Sequence, residues 1–289
     1  MLSRSSWLHL RIPFSYFLLP VFLFALAISS DASVKAELWT FAIIHLLLYP
    51  ASNGYNSYFD KDEKSIGGLK NPPPVNKGLY HLALLFDILA IILGLLTINL
   101  TFAVMLLIYG IVSKAYSHPD VRLKKMPIVG WLVAGFFQGF FTLLMCYIGI
   151  NNCTLQSIWR PEIVVPGILC SIMLWASYPM TQIYQHEEDG RRGDETLSRK
   201  LGILGTFYFV AAIFGLVSVC FTLYFVTFYN WQLAIAYLLA LFPAVAFFSH
   251  WFIKTYRSRE AADYGHTMWL NFISATTLNA FFLFMTWAF

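Results

Sequence analysis

The sequence predicts an all-α membrane protein, a bundle of nine transmembrane helices with a cytoplasmic N-terminus and an external C-terminus. The prediction rests on the composition, the apolar runs and the placement of Lys and Arg. Of the 289 residues, 58% are hydrophobic and 12% are charged, whereas an ordinary soluble domain carries about 25% charged residues. So few charges cannot coat a soluble protein, which excludes a cytosolic enzyme, a disordered chain and, despite a pI of 8.8, a nucleic-acid-binding domain.

Nine apolar runs have the length needed to cross a bilayer, which takes about 20 mainly apolar residues. The runs are continuous rather than alternating, which excludes a porin-like barrel. The first run is not expected to be a cleaved signal peptide, because eight more follow it. No linker or soluble region separates them, so residues 1–289 are expected to form a single domain. The predicted spans are 13–30, 38–59, 80–98, 101–117, 127–149, 162–185, 203–227, 231–253 and 268–288.

The Lys and Arg residues give the predicted orientation. If the spans alternate from a cytoplasmic N-terminus, all of the 19 Lys and Arg except Lys35 and Arg160 fall in inner segments. Cytoplasmic loops of membrane proteins carry such an excess of positive charge. The longest predicted loops are also inner, so we expect the protein to work at the cytoplasmic face of a bacterial inner membrane. These loops are 60–79, 118–126, 186–202 and 254–267.

Over half of the 15 acidic residues lie in two short clusters at predicted cytoplasmic helix ends, four spans apart. Such residues can belong to ordinary solvated loops. However, carboxylates at a helix C-terminus oppose the helix dipole, and a divalent cation would compensate them. The clusters are Asp60, Asp62 and Glu63, and Glu187, Glu188, Asp189, Asp194 and Glu195.

Each cluster pairs an amide with a carboxylate four residues later. Asn56 and Asp60 are expected to share one helical face, and Gln185 and Asp189 another. Amide and carboxylate oxygens suit Mg²⁺, which takes one or two carboxylates together with substrate phosphates. Two such faces that point at each other would hold a diphosphate between them through metal ions.

A basic loop lies between the predicted fourth and fifth spans. Arg122, Lys124 and Lys125 stand close together in it. Such a cluster is typical of a topology signal or of a contact with anionic lipids. Beside two candidate metal sites it also fits a phosphate clamp. Lys70 and Lys77, which flank a proline run after the first acidic cluster, are secondary candidates of the same kind.

Three segments, in this order, resemble motifs of the UbiA-type intramembrane prenyltransferases. Residues 56–78 (NSYFDKDEKSIGGLKNPPPVNKG) are similar to the first Asp-rich motif, NDxxDxxxD, and its basic, Pro-containing continuation. Residues 116–125 (YSHPDVRLKK) resemble the phosphate-binding loop after the fourth helix. Residues 182–202 (QIYQHEEDGRRGDETLSRKLG) resemble the second motif, DxxxD followed by Gly and Thr-Leu. Nine helices also fit this family.

The resemblance implies a reaction. In that family an isoprenyl diphosphate is held by Mg²⁺ between the two Asp-rich motifs, and an acceptor captures the allylic cation that ionisation leaves. On this sequence the metal-side roles fall to Asn56, Asp60 and Asp189, with Asp60 and Asp189 the expected catalytic residues. Diphosphate contacts fall to Arg122 and Lys124. Metal and fixed cations would stabilise the growing charge of the leaving group.

The sequence departs from the family pattern at three positions. Ser57 and Lys64 stand where the first motif has Asp, and Gln185 replaces the first Asp of the second motif. Asp62 is expected to replace one lost metal ligand, and Gln185 to offer an amide oxygen. Lys64 is expected to contact the diphosphate directly, with Lys70 as a further basic contact.

The predicted partners are a polyprenyl diphosphate, an aromatic or other lipophilic acceptor and membrane lipids, with Mg²⁺ as cofactor and without nucleic acid. Two alternatives remain open. One is a homologue that binds a lipid diphosphate without turnover, which Lys64 and Gln185 suggest. The other is a transporter with acids along an ion path, although transporter sites lie near the midplane and the acids here cluster at one face.

Overall fold

The computed structural model describes residues 3–30 and 32–288, and this part of the chain is helical almost throughout. Within it a single isolated bridge joins Ile66 and Leu69 and no β-strand forms. The helical segments, numbered in chain order, are α1 (Arg4–Ala27), α2 (34–60), α3 (Gly78–Thr97), α4 (Leu100–Ser117), α5 (Pro127–Asn151), α6 (Pro161–Arg192), α7 (Leu197–Phe228), α8 (Trp231–Arg257) and α9 (Tyr264–Ala288).

Eight of these segments are long and apolar enough to cross a membrane. Within the described residues, α2 is the helical segment of comparable length that does not reach this threshold. Its C-terminal half carries Ser52, Asn53, Asn56 and Asp60, which face a polar cavity. The predicted all-α membrane fold is confirmed, whereas the count of nine spans and the sidedness of the termini stay predictions. Most helices also differ from the predicted spans at their ends: α1 already begins at Arg4, and α6 continues to Arg192.

Local sequence explains where several helices begin. The side chain of Asn99 accepts a hydrogen bond from the backbone N–H of Phe102 (2.8 Å), and Asn230 caps α8 in the same way. Pro127 and Pro161 occupy the first positions of α5 and α6, where the missing N–H has no intrahelical partner. Because Ile98 and Asn99 alone separate α3 from α4, these two helices must run antiparallel.

One end of the bundle is built from the N-terminal helix and the segment that follows α2. Ser5 donates to the carbonyl of Pro74 (2.6 Å), and the ring of His9 bonds the carbonyl of Pro73 (2.7 Å). At the opposite end, Asn99 bonds Asn152 (2.9 Å) in the link between α5 and α6. The first of these ends carries the candidate site.

Several helices change their local winding along their length. Residues 42–48 and 137–141 are π-helical, and Tyr178–Gln185 is a 3₁₀ helix. Arg11 adopts a left-handed conformation (φ 48°) between two helical parts of α1. Such irregular turns re-aim side chains and are frequent at functional sites.

Candidate active site

The first acidic cluster lies at the end of α2. Asn56 and Asp60 lie on one face of a regular α-helix, as their spacing predicts, and both line the polar cavity, while their metal roles stay predictions. Lys61 then takes a left-handed conformation (φ 50°), and its N–H bonds the carbonyl of Ser57 at 3.0 Å. The helix ends there, and the chain turns so that the buried side chain of Asp62 also reaches the cavity.

The second acidic cluster is built differently. Gln185 ends a 3₁₀ stretch, and the α-helical turn that carries Asp189 begins only at His186. The single regular α-helix expected through Gln185 and Asp189 is therefore replaced by a change of winding between them. Both side chains still line the cavity. Gly193 (φ 71°) then ends α6 and lets the chain turn, so that Asp194 is buried at 1% exposure.

The two clusters meet directly although more than 120 residues separate them. The carboxylate of Glu188 accepts the backbone N–H of Glu63 at 2.8 Å. Arg192 pairs both with Asp62 of the first cluster and, at 2.8 Å, with Asp189 of its own. The predicted convergence of the two helix ends is thus present in the structure.

The basic loop closes the same site from a third side. Arg122 adopts a left-handed conformation (φ 43°) and forms a two-pronged ion pair with Asp194, at 2.7 and 2.9 Å. Lys124 is 8% exposed and pairs with Asp60. The loop sits tightly on α5, since a Cβ atom at Gly130 would lie 2.9 Å from the carbonyl oxygen of Leu123.

Together these side chains form an ion-pair cluster of four carboxylates and three cations. Each cation bridges at least two acids: Lys124 also lies 3.7 Å from Asp194, and Arg192 lies 3.4 Å from it. Buried charges are tolerated when they are paired in this way, and the loss of one partner is costly. The members are Asp60, Asp62, Asp189, Asp194, Arg122, Lys124 and Arg192.

Within the cluster, the pKa values of two acids are shifted in opposite directions. Burial alone raises the pKa of Asp194, but the hydrogen bond from Arg122 and the charge of Lys124 outweigh it, so its pKa falls below the ordinary value. For Asp62, burial and the charge of Asp60 raise the pKa despite the pairing with Arg192. Asp194 therefore stabilises the cluster as an anion, whereas burial and the charge of Asp60 make the ionised form of Asp62 less favourable.

The polar cavity, of about 300 Å³, is enclosed by α1, α2, α4, α5, α6 and α9. Arg11 lines it and donates to the carbonyls of Gly67 (3.0 Å) and Asn53 (3.3 Å). Its Nε is buried without a hydrogen-bond partner, and no ion pair among the described residues involves it. Sequence reasoning gave Arg11 only a topological role. Asp194 and Arg192 were likewise not predicted as site residues, although the glycine that separates them signals a helix end.

The predicted metal ligands can be tested by their chemistry. The side chains of Asn56, Asp60, Asp62, Gln185 and Asp189 all border the cavity, and their oxygens are the donors that Mg²⁺ prefers. In the described part of the chain, no three His, Cys, Asp or Glu residues are grouped as a ready ligand set. The donor set fits Mg²⁺, but the cationic side chains of the ion-pair cluster lie between its acids.

The predicted diphosphate contacts divide into two groups. Lys124 lines the cavity, and Arg122 holds Asp194 directly beside it. Lys64 is about half exposed and bonds Glu187 at 2.5 Å. Lys70 is exposed, and its carbonyl accepts the hydroxyl of Ser65. Neither of these two lysines is among the cavity-lining residues that the structure describes.

A second, apolar chamber of about 370 Å³ lies beside the polar cavity, among α1, α6, α7, α8 and α9. Phe17, Leu174, Ser177 and Asn271 border both spaces. The polar cavity and the apolar chamber thus share a wall, and this arrangement suits a ligand with a charged head and an apolar tail.

Comparison with known proteins identifies the class. The model of the UbiA prenyltransferase family matches residues 17–273, and the chain belongs to this family. The fold is similar to a UbiA homologue from Archaeoglobus fulgidus bound to DMAPP and Mg²⁺ (TM-score 0.69, 14% identity, 98% of this chain and 100% of that one). It also resembles that homologue bound to GPP and Mg²⁺ (0.64, 14%, 97% and 99%).

A digeranylgeranylglyceryl phosphate synthase is similar as well, with a TM-score of 0.62, 17% identity and 98% of each chain covered. No curated protein sequence matches this chain. The family and the long apolar helices make it an integral membrane protein with a prenyltransferase fold. Neither the transporter nor the binding-only alternative is favoured by these findings.

Proposed function

We propose that this protein transfers an isoprenyl group from a prenyl diphosphate to a lipophilic acceptor within the membrane, in a reaction that depends on Mg²⁺. One observation carries the proposal: the two acidic clusters and the basic loop converge on a single cavity that shares a wall with an apolar chamber. The charged end of the bundle is expected to face the cytoplasm of a bacterial cell, because it holds the basic loops.

Asn56, Asp60, Asp62, Gln185 and Asp189 are the proposed holders of the metal. When bound, Mg²⁺ neutralises the diphosphate and stabilises it as a leaving group. Fixed cations act on the same group. Lys124 and Arg11 line the cavity, and the Arg11 Nε has no partner. Arg122 holds Asp194 beside it, and Lys64 and Lys70 lie further out, where they would attract the anion.

The chemistry follows from this placement. The C–O bond to the diphosphate breaks, its electron pair leaves with the diphosphate, and an allylic cation remains. The acceptor attacks this cation and then loses a proton. Tyrosine rings line the cavity wall, and their π faces would attract and stabilise this cation. They are Tyr49, Tyr109, Tyr116, Tyr178 and Tyr184.

The test is release of diphosphate by purified protein from a panel of isoprenyl diphosphates, with and without Mg²⁺ and with candidate acceptors. Mg²⁺-dependent release with a prenylated product is expected. Binding without release would support the binding-only homologue, and ion flux in vesicles without binding would support a transporter. Asp189→Asn should abolish release, whereas Asp263→Asn, an acid on the link before α9 and outside the cavity lining, should not.

A further inference from the structure

The apolar chamber runs along the bundle axis, away from the ion-pair cluster. On α9 its wall extends from Leu270 to Phe282 and includes Asn271, which also borders the polar cavity. On α7 it extends from Val210 to Phe221. From Asn271 to Phe282 and from Val210 to Phe221 there are eleven residue steps, or about 16 Å at ~1.5 Å per residue.

Aromatic rings line the end of the chamber that lies farther from the ion-pair cluster. Phe221 and Phe282 line it, and a second layer backs both of them. Phe24 stacks on Phe282 with ring centroids 4.4 Å apart, and Tyr237 stacks on Phe221 at 5.1 Å. None of these four side chains is more than 3% exposed. We call them the aromatic floor.

The rings of the aromatic floor resist displacement by a bound tail. Protein interiors are close-packed, and extra volume forced into them costs about 1–3 kcal/mol. The backing rings are themselves held, since Phe225 contacts both Phe24 and Tyr237 with centroids 6.3 and 5.2 Å away. A tail that reached the floor would have to separate stacked rings to go deeper.

The length of the chamber can be compared with that of an isoprenoid tail. A peptide chain advances about 3.5 Å over three backbone bonds, so the four main-chain bonds of one extended isoprene unit span about 4.6 Å. A depth of about 16 Å then corresponds to between three and four units.

We propose that the aromatic floor sets the length of the prenyl donor, and that this protein selects a diphosphate with a tail of three to four isoprene units, about 15 to 20 carbons. The proposal rests on the proposed function, since it assumes that the diphosphate head lies in the polar cavity. From that head the tail passes the shared wall at Ser177 and Asn271 and ends at Phe221 and Phe282.

The test compares prenyl diphosphates of two to six isoprene units for Mg²⁺-dependent turnover and for binding. For the unaltered protein, kcat/KM should fall at least tenfold between four and five units. Phe282→Ala should raise kcat/KM for the five-unit substrate at least fivefold. Phe282→Leu leaves a smaller cavity and should raise it by less. Gly215→Phe should shift the optimum to a shorter tail, because a Cβ atom there meets nothing within 4 Å.

Two controls make the result specific. Phe284→Ala removes an exposed ring two residues along the same helix and should leave the length profile unchanged. Affinity for inorganic pyrophosphate should stay within twofold in all these variants, because the polar cavity is untouched. Two results would overturn the proposal that the floor sets the tail length. One is an unaltered protein that turns over substrates of five and six units as well as substrates of four. The other is a length profile of the Phe282 variants that matches that of Phe284→Ala. If no prenyl diphosphate of any length binds, the proposed function fails and this proposal fails with it.

Discussion

The polar cavity and the apolar chamber share a wall but are held together by different forces. In the polar cavity, side chains from three distant segments pair their charges, so that Lys124 reaches Asp60 and Arg192 reaches Asp62. In the chamber, rings such as Phe24 and Phe282 stack without any charge. The first space is organised by electrostatics across loops and the second by packing across helices.

The two spaces should therefore respond differently to amino-acid substitutions. A neutral substitution in the ion-pair cluster leaves a buried charge without a partner, so stability and diphosphate binding should change together. A change of volume in the chamber should alter which tail fits while pyrophosphate binding stays the same. The following predictions test the charged half of the comparison, and the aromatic-floor variants test the other half.

The largest effect is expected from Arg192→Met. The substitution leaves Asp62 and Asp189 buried without their shared cation, which should lower the free energy of unfolding by about 3–5 kcal/mol. Denaturant unfolding in mixed micelles measures it. Arg191→Met is the matched control, because Arg191 makes an exposed pair with Glu187 and its loss should change stability very little. Equal losses would show that Arg192 does not join the two clusters.

Asp60→Asn should reduce kcat/KM for prenyl transfer by about 100-fold or more, because it removes both a proposed metal ligand and the partner of Lys124. Asp120→Asn serves as control, since Asp120 lies on the nearby basic loop with a side chain 85% exposed. Steady-state rates at saturating Mg²⁺ decide the matter. A loss of less than fivefold would remove Asp60 from the catalytic residues.

The lowered pKa of Asp194 predicts a pH dependence of stability. Because the folded-state pKa lies below the ordinary 3.8, ionised Asp194 stabilises the protein above that pH, and the contribution is lost as the pH falls through the lowered pKa. Asp194→Asn should cost about 2 kcal/mol at pH 7, and its difference from the unaltered protein should shrink towards pH 3. A difference that is constant from pH 7 to pH 3 would contradict the pairing with Arg122.

The smallest effect is expected from Lys64→Ala. Lys64 lies at the surface beside Glu187, where a single charge contributes up to about 1 kcal/mol. As an outer contact for the incoming diphosphate it should raise KM two- to threefold, more at low salt than at high salt. Lys35→Ala, at the opposite end of the bundle, should leave KM unchanged. If Lys64→Ala also leaves KM unchanged, Lys64 has no part in binding.

Much of the candidate site could be read from the residues alone. The regular α-helix at the end of α2 obeys the four-residue spacing, so Asn56 and Asp60 face the cavity as predicted. Gln185 and Asp189 also both line the cavity, but there the chain changes its winding between the two residues. A spacing rule holds only while the backbone keeps one geometry, and the sequence does not mark the change.

Composition and apolar run length determined by themselves that the chain is an all-helical membrane protein, since the bilayer accepts few other solutions. The local motifs also indicated which segments meet at the polar cavity. Only the tertiary structure decided which cation meets which acid, that Asp194 and Arg11 join the cavity, and that rings from α1, α7, α8 and α9 close the chamber. Those contacts depend on left-handed turns at Lys61 and Arg122 and on packing between distant helices. The local sequence of each segment does not determine which other segments will lie next to it.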